Sequence, residues 1–471
     1  MKILLTGVTG YIGKRLLPEL VKMGHTVVCC VRDKNRFNPG KNISDSIEIV
    51  EVDFMDYASL SNIPKDIEAG YYLIHSMSTE SDYDKVELAC AENFKKYTSK
   101  LNLKQVIYLS GIVNEKLLSK HLSSRKAVEE KLNEGNYNLT TLRAGIIIGS
   151  GSASFEIVRD LVEKLPIMVT PKWLNTKCQP IGVDDVISFL SRALFNKSVY
   201  NNNYDIGGPD ILSYKEMLLG YAKARGLKRW IYTVPVMTPK LSSYWLYFIS
   251  STSYKLAVAL VNSMKIEVIC RISEINNILK IEPINYELSI KRTIEEVDSD
   301  KVISSWKDSL ISGIISTDLK KYTKVPEFGC YKDIRKYPIS NVENTINNIW
   351  RIGGETGWYY ANWLWRVRGY IDKLFGGVGL RRGRAHREDI DPGDSIDFWR
   401  VLYANRKVGN LLLFAEMKLP GDAWLEFKVI DYELIQIATF RPKGLLGRMY
   451  WLSVLPFHEI VFRGLIKKLS D

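Results

Sequence analysis

The chain has 471 residues, 46% of them hydrophobic, and a formal net charge of +12 at pH 7. That length and apolar content exclude general disorder and allow roughly two or three domains, each with its own core. The charge is spread along the sequence and not gathered in a tail, so an anionic small molecule or a membrane surface suits it as well as nucleic acid does. Six cysteines, two of them adjacent at Cys29 and Cys30 inside an apolar run, show no metal-ligand spacing. A reduced, cytoplasmic compartment without a metal centre is the expectation.

Residues 2–6 form a short apolar run with no charged leader and cleavage site before it, and read as a strand. Thr6-Gly7-Val8-Thr9-Gly10-Tyr11-Ile12-Gly13 follows directly and opens an amphipathic helix over 11–23 that Gly24 ends. A strand, a glycine-rich turn and a helix in this order form a dinucleotide site. Gly7 permits the tight turn, Gly10 lets backbone approach a pyrophosphate, and Gly13 lets the helix pack on the strand. Thr9, Tyr11 and Ile12 complete the cofactor-binding turn, with the helix N-terminus facing the phosphates. Residues 26–31 are a continuous apolar strand ending at Arg32, which can pair with a 2′-phosphate and so favours NADP. Asp33 follows at once and keeps NAD open, and Arg32 as a cover for the sheet edge is the plain alternative.

Strand patterns continue at 47–52, 71–74, 105–109 and 139–148, with helices near 83–100 and 123–133, which predicts a doubly wound parallel sheet of the Rossmann type. The third strand ends in Asp53-Phe54, where the carboxylate either accepts from an adenine amino group or caps the next segment. The fourth ends in His75-Ser76-Met77, at the crevice where such sheets bind ligands.

The TGxTGxxG turn, the run Tyr72-Leu73-Ile74-His75-Ser76-Met77, residues 142–155 and residues 179–186 together resemble the extended and atypical, NmrA-like or epimerase-like, branches of the short-chain dehydrogenase/reductase superfamily. The likeness covers about residues 1–290 and is nearest to bacterial NAD(P)-binding proteins that carry a C-terminal domain of unknown function. The resemblance implies a tyrosine and a lysine one helical turn apart after the fifth strand. This chain has His121-Leu122-Ser123-Ser124-Arg125 there, and no such pair. Ser110 lies near the position of the family's catalytic serine. His121 and Arg125 keep the missing pair's spacing, with His121 as acid/base and Arg125 on a ribose or phosphate, or both serve as polar contacts at a helix start. Trp173, Gln179 and Met77 are candidate pocket residues or core, and Asp205-Ile206-Gly207-Gly208-Pro209 turns into a helix over 214–225.

Residues 241–264 lack the unbroken run of about 18 apolar residues that a membrane span needs and are expected to be a buried helical pair or a membrane-surface helix. Domains are expected at 1–290 and 331–471, joined by 291–330. In the second, helical spacing over 362–375 precedes strand patterns at 395–402, 410–417, 423–430 and 433–439 and a long final helix over 445–469. This order resembles the helix-grip fold of START and polyketide-cyclase proteins, which implies an α+β domain with an antiparallel sheet around an apolar cavity. The basic cluster at 381–387 lacks interleaved aromatics and is followed by Glu388-Asp389, so no nucleic-acid partner is expected from it; it reads as a solvated loop or as a contact for an anionic ligand or lipid headgroup. Two functions remain. One is an NAD(P)(H)-dependent oxidoreductase or isomerase of an apolar, isoprenoid- or lipid-like substrate, with peripheral membrane contact open; the other is an NADP(H)-binding sensor or structural protein without chemistry.

Overall fold

The computed structural model describes residues 1–32, 34, 37, 44–75, 83–113, 120–234, 264–272, 274–298, 325, 330–354, 356–375, 377, 379, 390, 392–442 and 444–470. The chain forms two compact units, Met1–Ser250 with Tyr254–Gly313 and Ser251–Ser253 with Ile314–Asp471.

Among the described residues, the first unit has a sheet of seven parallel strands: β1 (Lys2–Leu5), β2 (Thr26–Val31), β3 (Ile47–Glu51), β4 (Ala69–Tyr72), β5 (Gln105–Gly111), β6 (Asn138–Ala144) and β7 (Asn202–Ile206). Their order is β7-β6-β5-β4-β1-β2-β3. The chain builds outward from β1 to β3, then crosses back to lay β4 on the other flank of β1. The switch point, where doubly wound sheets hold ligands beyond the strand carboxyl ends, therefore lies between β1 and β4.

The helices are α1 (Tyr11–Lys22), α2 (Tyr83–Thr98), α3 (Lys120–Leu132), α4 (Ala153–Lys164), α5 (Val183–Ala193), α6 (Tyr214–Ala224) and α7 (Tyr286–Asp298). Alternation along β1 decides which helices meet which face. Ile3 and Leu5 pack with Leu16, Leu20, Val186 and Leu190 of α1 and α5, while Leu4 packs with Phe94, Val128 and Leu132 of α2 and α3. Helices α4, α6 and α7 share a further core around Phe155, Met217, Tyr221 and Ile290.

The expected single strand over 139–148 breaks at Gly145. A Cβ there would lie 2.9 Å from Val268 Cγ1, and Ile147–Ile148 leaves the main sheet to pair with Ile181–Gly182.

The second unit, again among the described residues, has an antiparallel sheet of six strands: β8 (Tyr331–Pro338), β9 (Ser395–Ile396), β10 (Trp399–Asn405), β11 (Asn410–Ala415), β12 (Gly421–Ile430) and β13 (Glu433–Pro442), in the order β8-β13-β12-β11-β10-β9. Its helices are α8 (Val342–Trp350), α9 (Asn362–Leu374) and the long α10 (Gly444–Ser470). The run 395–402, expected as one strand, turns on Asp397, whose φ of +53° folds β9 back onto β10. Edge strand β8 was not foreseen, because Lys332, Asp333, Arg335 and Lys336 mask its alternation. Trp358 stacks on Trp365 at 4.6 Å, touches Trp399 at 6.2 Å, and donates its Nε1–H to Asp397 Oδ2 at 2.7 Å. No helix among the described residues is long and apolar enough to cross a membrane.

Trp358 is 1% exposed, so Trp358→Ala is expected to lower the stability of the second unit by about 3–5 kcal/mol. Urea unfolding followed by tryptophan fluorescence checks this; an unshifted transition would mean that the indole stack does not hold the unit together.

Candidate functional site

At the switch point, Gly7 takes φ +65°, and a Cβ on it would stand 2.4 Å from the carbonyl oxygen of Leu73, just beyond β4. Thr6 joins the same two strand ends: its Oγ1 donates to Tyr71 O at 2.9 Å and accepts from the Leu73 N–H at 3.0 Å. A Cβ on Gly13 would lie 2.3 Å from Gly7 O, so α1 begins in backbone contact with the turn. Gly10 is the N-cap of α1 and donates its own N–H to Gly7 O at 2.9 Å. No side chain caps this helix and no acid stands in its first turn, whereas α4 and α6 are capped by Ser152 and Ser213. An uncapped helix end built on glycines offers its N–H groups to an anion, which is the fit a pyrophosphate requires.

Thr9 and Ile12 are half-buried in this turn. Tyr11 contributes backbone only: its ring is buried against Gly149, and burial raises its pKa. Arg15 lies 5.3 Å from that ring centroid, donates Nη2–H to Ser150 O at 3.1 Å and pairs with Glu296 at 3.2 Å, tying α1 to α7.

Arg32 is exposed at the end of β2. Desolvation lowers its pKa and the nearby Asp53 carboxylate opposes that shift, so the structure brings these two expected residues together. Asp53 caps its own turn, Oδ1 accepting from the Met55 N–H at 3.0 Å. Phe54 is buried against Phe94 at 5.9 Å and is core. Asp33, Ser76 and Met77 lie outside the described residues, as do residues 241–263 and the basic cluster at 381–387.

His75 follows β4 by three residues. Its Nδ1 is 2.6 Å from Oε1 of Glu87, a residue of α2 that is 3% exposed. Ser124 of α3 donates its hydroxyl to the other oxygen of the same carboxylate. Burial by itself would raise the Glu87 pKa, yet His75, Arg125 and Ser124 bring it down to about 2. For His75 the balance runs the other way. Burial and the Arg125 charge outweigh Glu87 and lower its pKa, so the imidazole is neutral and the ionised carboxylate selects the Nδ1–H tautomer.

Arg125 donates Nη1–H to Leu109 O at 3.0 Å, and its Nε is buried without a hydrogen-bond partner. Ser110, 4% exposed at the end of β5, lies beside the phenol of Tyr108, which is 1% exposed and donates to Arg125 O at 3.3 Å. The His121 backbone falls in the first turn of α3, and its side chain lies outside the described residues. Of the residues expected to be catalytic, Arg125 and Ser110 thus join His75 in one polar group.

Glu87 and Ser124 were missed. The signal was present, since Glu87 belongs to the buried stripe 87, 90, 91, 94 and 98 of α2, where a carboxylate is out of place unless partnered. Gln179 bridges Gly208 O at 2.7 Å and the Cys270 N–H at 3.0 Å, which makes it structural. Trp173 holds its Nε1 buried without a hydrogen-bond partner. No group of three or more His, Cys, Asp or Glu side chains among the described residues is placed to hold a metal ion.

Residues 3–113 match the model of the NAD dependent epimerase/dehydratase family, and residues 329–465 match a protein family of unknown function, DUF2867. The divinyl chlorophyllide a 8-vinyl-reductase of Arabidopsis thaliana is 23% identical over 227 residues, 44% of this chain and 54% of that protein. The photosystem II assembly factor Ycf39 of Trieres chinensis is 25% identical over 233 residues, 47% of this chain and 70% of that protein. The chain spans about half the length of the vinyl-reductase relatives it matches, 54% in the Arabidopsis case. A nucleoside-diphosphate-sugar epimerase from Staphylococcus aureus superposes with a TM-score of 0.50 at 12% identity, covering 62% of this chain and all of that one. An epimerase from Methanothermobacter thermautotrophicus gives a TM-score of 0.50 at 13% identity over 64% and 94%. The first unit has a Rossmann-type fold similar to that of these epimerases, and the second is an antiparallel-sheet domain with a long final helix.

The depressed Glu87 pKa has a consequence for stability. A carboxylate whose folded pKa is below its unfolded value stabilises the fold fully above the unfolded pKa, and loses that contribution as pH falls through the folded value. The difference in unfolding free energy between wild type and Glu87→Gln is therefore expected to shrink as pH drops from about 5 to about 2.5, the window set by the Glu87 shift. Denaturant titrations at several pH values measure it, and a difference that stays constant over this range would remove Glu87 as an ionised partner of His75.

Proposed function

We propose that the first unit binds NAD(P)(H), preferring NADP(H), and that the protein is an oxidoreductase or isomerase of an apolar, isoprenoid- or lipid-like substrate. The observation that carries this is the glycine-built junction of β1, α1 and β4, which presents an uncapped helix end and leads within two residues of Leu73 to the His75–Glu87 pair. A bound nicotinamide dinucleotide supplies hydride exchange. The protein's own groups do the rest: the first N–H groups of α1 take the pyrophosphate, and Arg32 takes the 2′-phosphate.

With Nδ1–H held by Glu87, the basic atom of His75 is Nε2. A neutral imidazole fixed in this tautomer accepts a proton from a substrate hydroxyl or an acidic C–H, and ionised Glu87 stabilises the imidazolium so formed. In the reductive direction the same imidazolium returns the proton. Ser124 and Arg125 hold Glu87 in place, and buried Tyr108 supports Arg125 without meeting substrate. One relative is named as the reductase of a chlorophyllide vinyl group, which supports a conjugated, apolar substrate. The sheet and final helix of the second unit support a helix-grip-like role in collecting that substrate.

A second reading has its own observation. Helix α3 reads KHLSSRKAVEEKL and holds no tyrosine, so the proton donor usual in the superfamily is missing there. Another relative is named an assembly factor, which supports a protein that binds cofactor without turnover.

Purified protein given NADPH or NADP⁺ with a panel of enones, quinones and apolar secondary alcohols separates the two. We expect turnover that falls about 10²–10⁴-fold in His75→Ala at unchanged NADPH affinity, with His121→Ala assayed beside it. Tight cofactor binding with no turnover on any substrate of the panel would favour the second reading. Under either reading Gly10→Val is expected to abolish NADPH binding, and retained affinity would overturn the cofactor assignment. Arg32→Ala is expected to weaken NADPH by about tenfold or more while leaving NADH nearly unchanged, as titration calorimetry would show. Equal losses would remove the 2′-phosphate contact.

A further inference from the structure

Helix α9 has two apolar sides. At about 100° per residue, Trp365, Gly369 and Asp372 share one face and are buried in the second unit. On the opposite face, within an arc of about 60°, stand Trp363, Val367, Tyr370 and Leu374. These are 64%, 47%, 62% and 57% exposed, and Phe375 at the helix end is 76% exposed. Isolated exposed apolar side chains are ordinary, but a ridge spanning three turns, rich in aromatic rings and directly opposite the packed face, is not.

The charges on α9 complete the pattern. Arg366 and Lys373 lie along one flank of the ridge; Arg368, on the other, is turned inward, 3.7 Å from the Asp372 carboxylate and donating to Lys418 O at 3.3 Å. Asp372, the helix's single acid, is 1% exposed and spent inside, accepting the Gly379 N–H at 2.8 Å and the Lys418 N–H at 2.6 Å. The outer half of α9 is thus an apolar, Trp- and Tyr-bearing ridge with Arg366 and Lys373 along one flank and no exposed carboxylate on the helix.

We propose that this face of α9 docks the protein on an anionic lipid surface. The ridge inserts at the headgroup level, where the amphipathic rings of Trp and Tyr are favoured, and the flanking cations meet lipid phosphates. The overall charge of +12 brings the protein to such a surface. Charge complementarity selects an anionic lipid surface, since Arg366 and Lys373 border the ridge and no exposed carboxylate on the helix would repel lipid phosphates.

The test is flotation of the full-length protein with vesicles of phosphatidylcholine alone and of phosphatidylcholine mixed with phosphatidylglycerol. Binding to the mixed vesicles, weakened by salt, is expected. Combined Trp363→Ser, Tyr370→Ser and Leu374→Ser should lower it by at least about tenfold. Arg366→Glu with Lys373→Glu should abolish the preference for the anionic vesicles. Tyr232→Ser, at a 60% exposed position of the first unit, should change nothing. Thermal unfolding of each variant confirms that it is folded, as substitutions at exposed positions allow. Failure of the wild type to float with either vesicle would overturn the proposal, as would undiminished flotation of the triple variant. So would a triple variant that changes sedimentation state while vesicle binding stays the same, which would make the ridge a protein interface.

Discussion

The zero clearance at Gly7 is the constraint on which the first unit depends. With a Cβ, that residue would overlap the backbone carbonyl of Leu73, so the exits of β1 and β4 approach this closely only because a side chain is missing. The left-handed φ at the same residue turns the chain at once into α1, and Gly13 lets that helix start against the turn. Two results follow. The free N–H groups of α1 face the crevice at the strand ends, and the chain leaving β4 is pinned by Thr6 at Leu73, two residues before it reaches His75. The uncapped start of α1 and the His75–Glu87 pair are thereby held on neighbouring segments by a steric fact about one glycine.

Electrostatics then decide the chemical character of His75. A carboxylate as enclosed as Glu87 is costly unless its hydrogen bonds and counter-charges are provided. Here they are, from His75, Ser124 and Arg125. The Arg125 guanidinium stabilises Glu87 as an anion and opposes a second cation on His75. Burial does most to keep His75 neutral, and the Arg125 charge acts in the same direction while also favouring the Glu87 anion. The usual tyrosine–lysine pair uses a cation to ease proton loss from a phenol; this arrangement uses an anion to fix the tautomer of a neutral base. Both arrangements place a cation and a titratable partner near the ends of the central strands.

How much of this was legible in the sequence follows from the range of each interaction. Local rules identified the glycine turn, α1, the alternation of strand and helix and the long final helix, since their signals are period and spacing within a few residues. Legibility failed where distant segments decide. The strand over 139–148 breaks at Gly145, where Val268 packs from more than a hundred positions away and Ile147–Ile148 turns to pair with Ile181–Gly182. Edge strand β8 carries charges on both of its sides: Lys332 and Lys336 face water, while Asp333 and Arg335 on the half-buried side pair with each other and, through Arg335, with the distant Glu459. Arg125 and Ser110 were singled out for their likeness to a family pattern, and the fold does place them together. Glu87, which the charge of Arg125 stabilises and to which Ser124 donates, sits on another helix, and only its misplacement on an apolar stripe marked it.

In the second unit the same residue types serve two purposes, and packing distinguishes them. Trp358, Trp365, Trp399, Phe398 and Phe462 fill the interior, joined by ring contacts of 4.6 to 6.2 Å. That core is complete without the outer ridge of α9, so folding does not account for Trp363, Tyr370 or Phe375. Left in water, each forgoes the roughly 1.5–3 kcal/mol that burial of a large apolar side chain yields. A surface that recovers this energy must be apolar at depth and anionic at its rim, since the ridge is flanked by arginine and lysine. Side chains that the fold does not use are explained by what the fold is brought against, and α9 is where the second unit meets that surface.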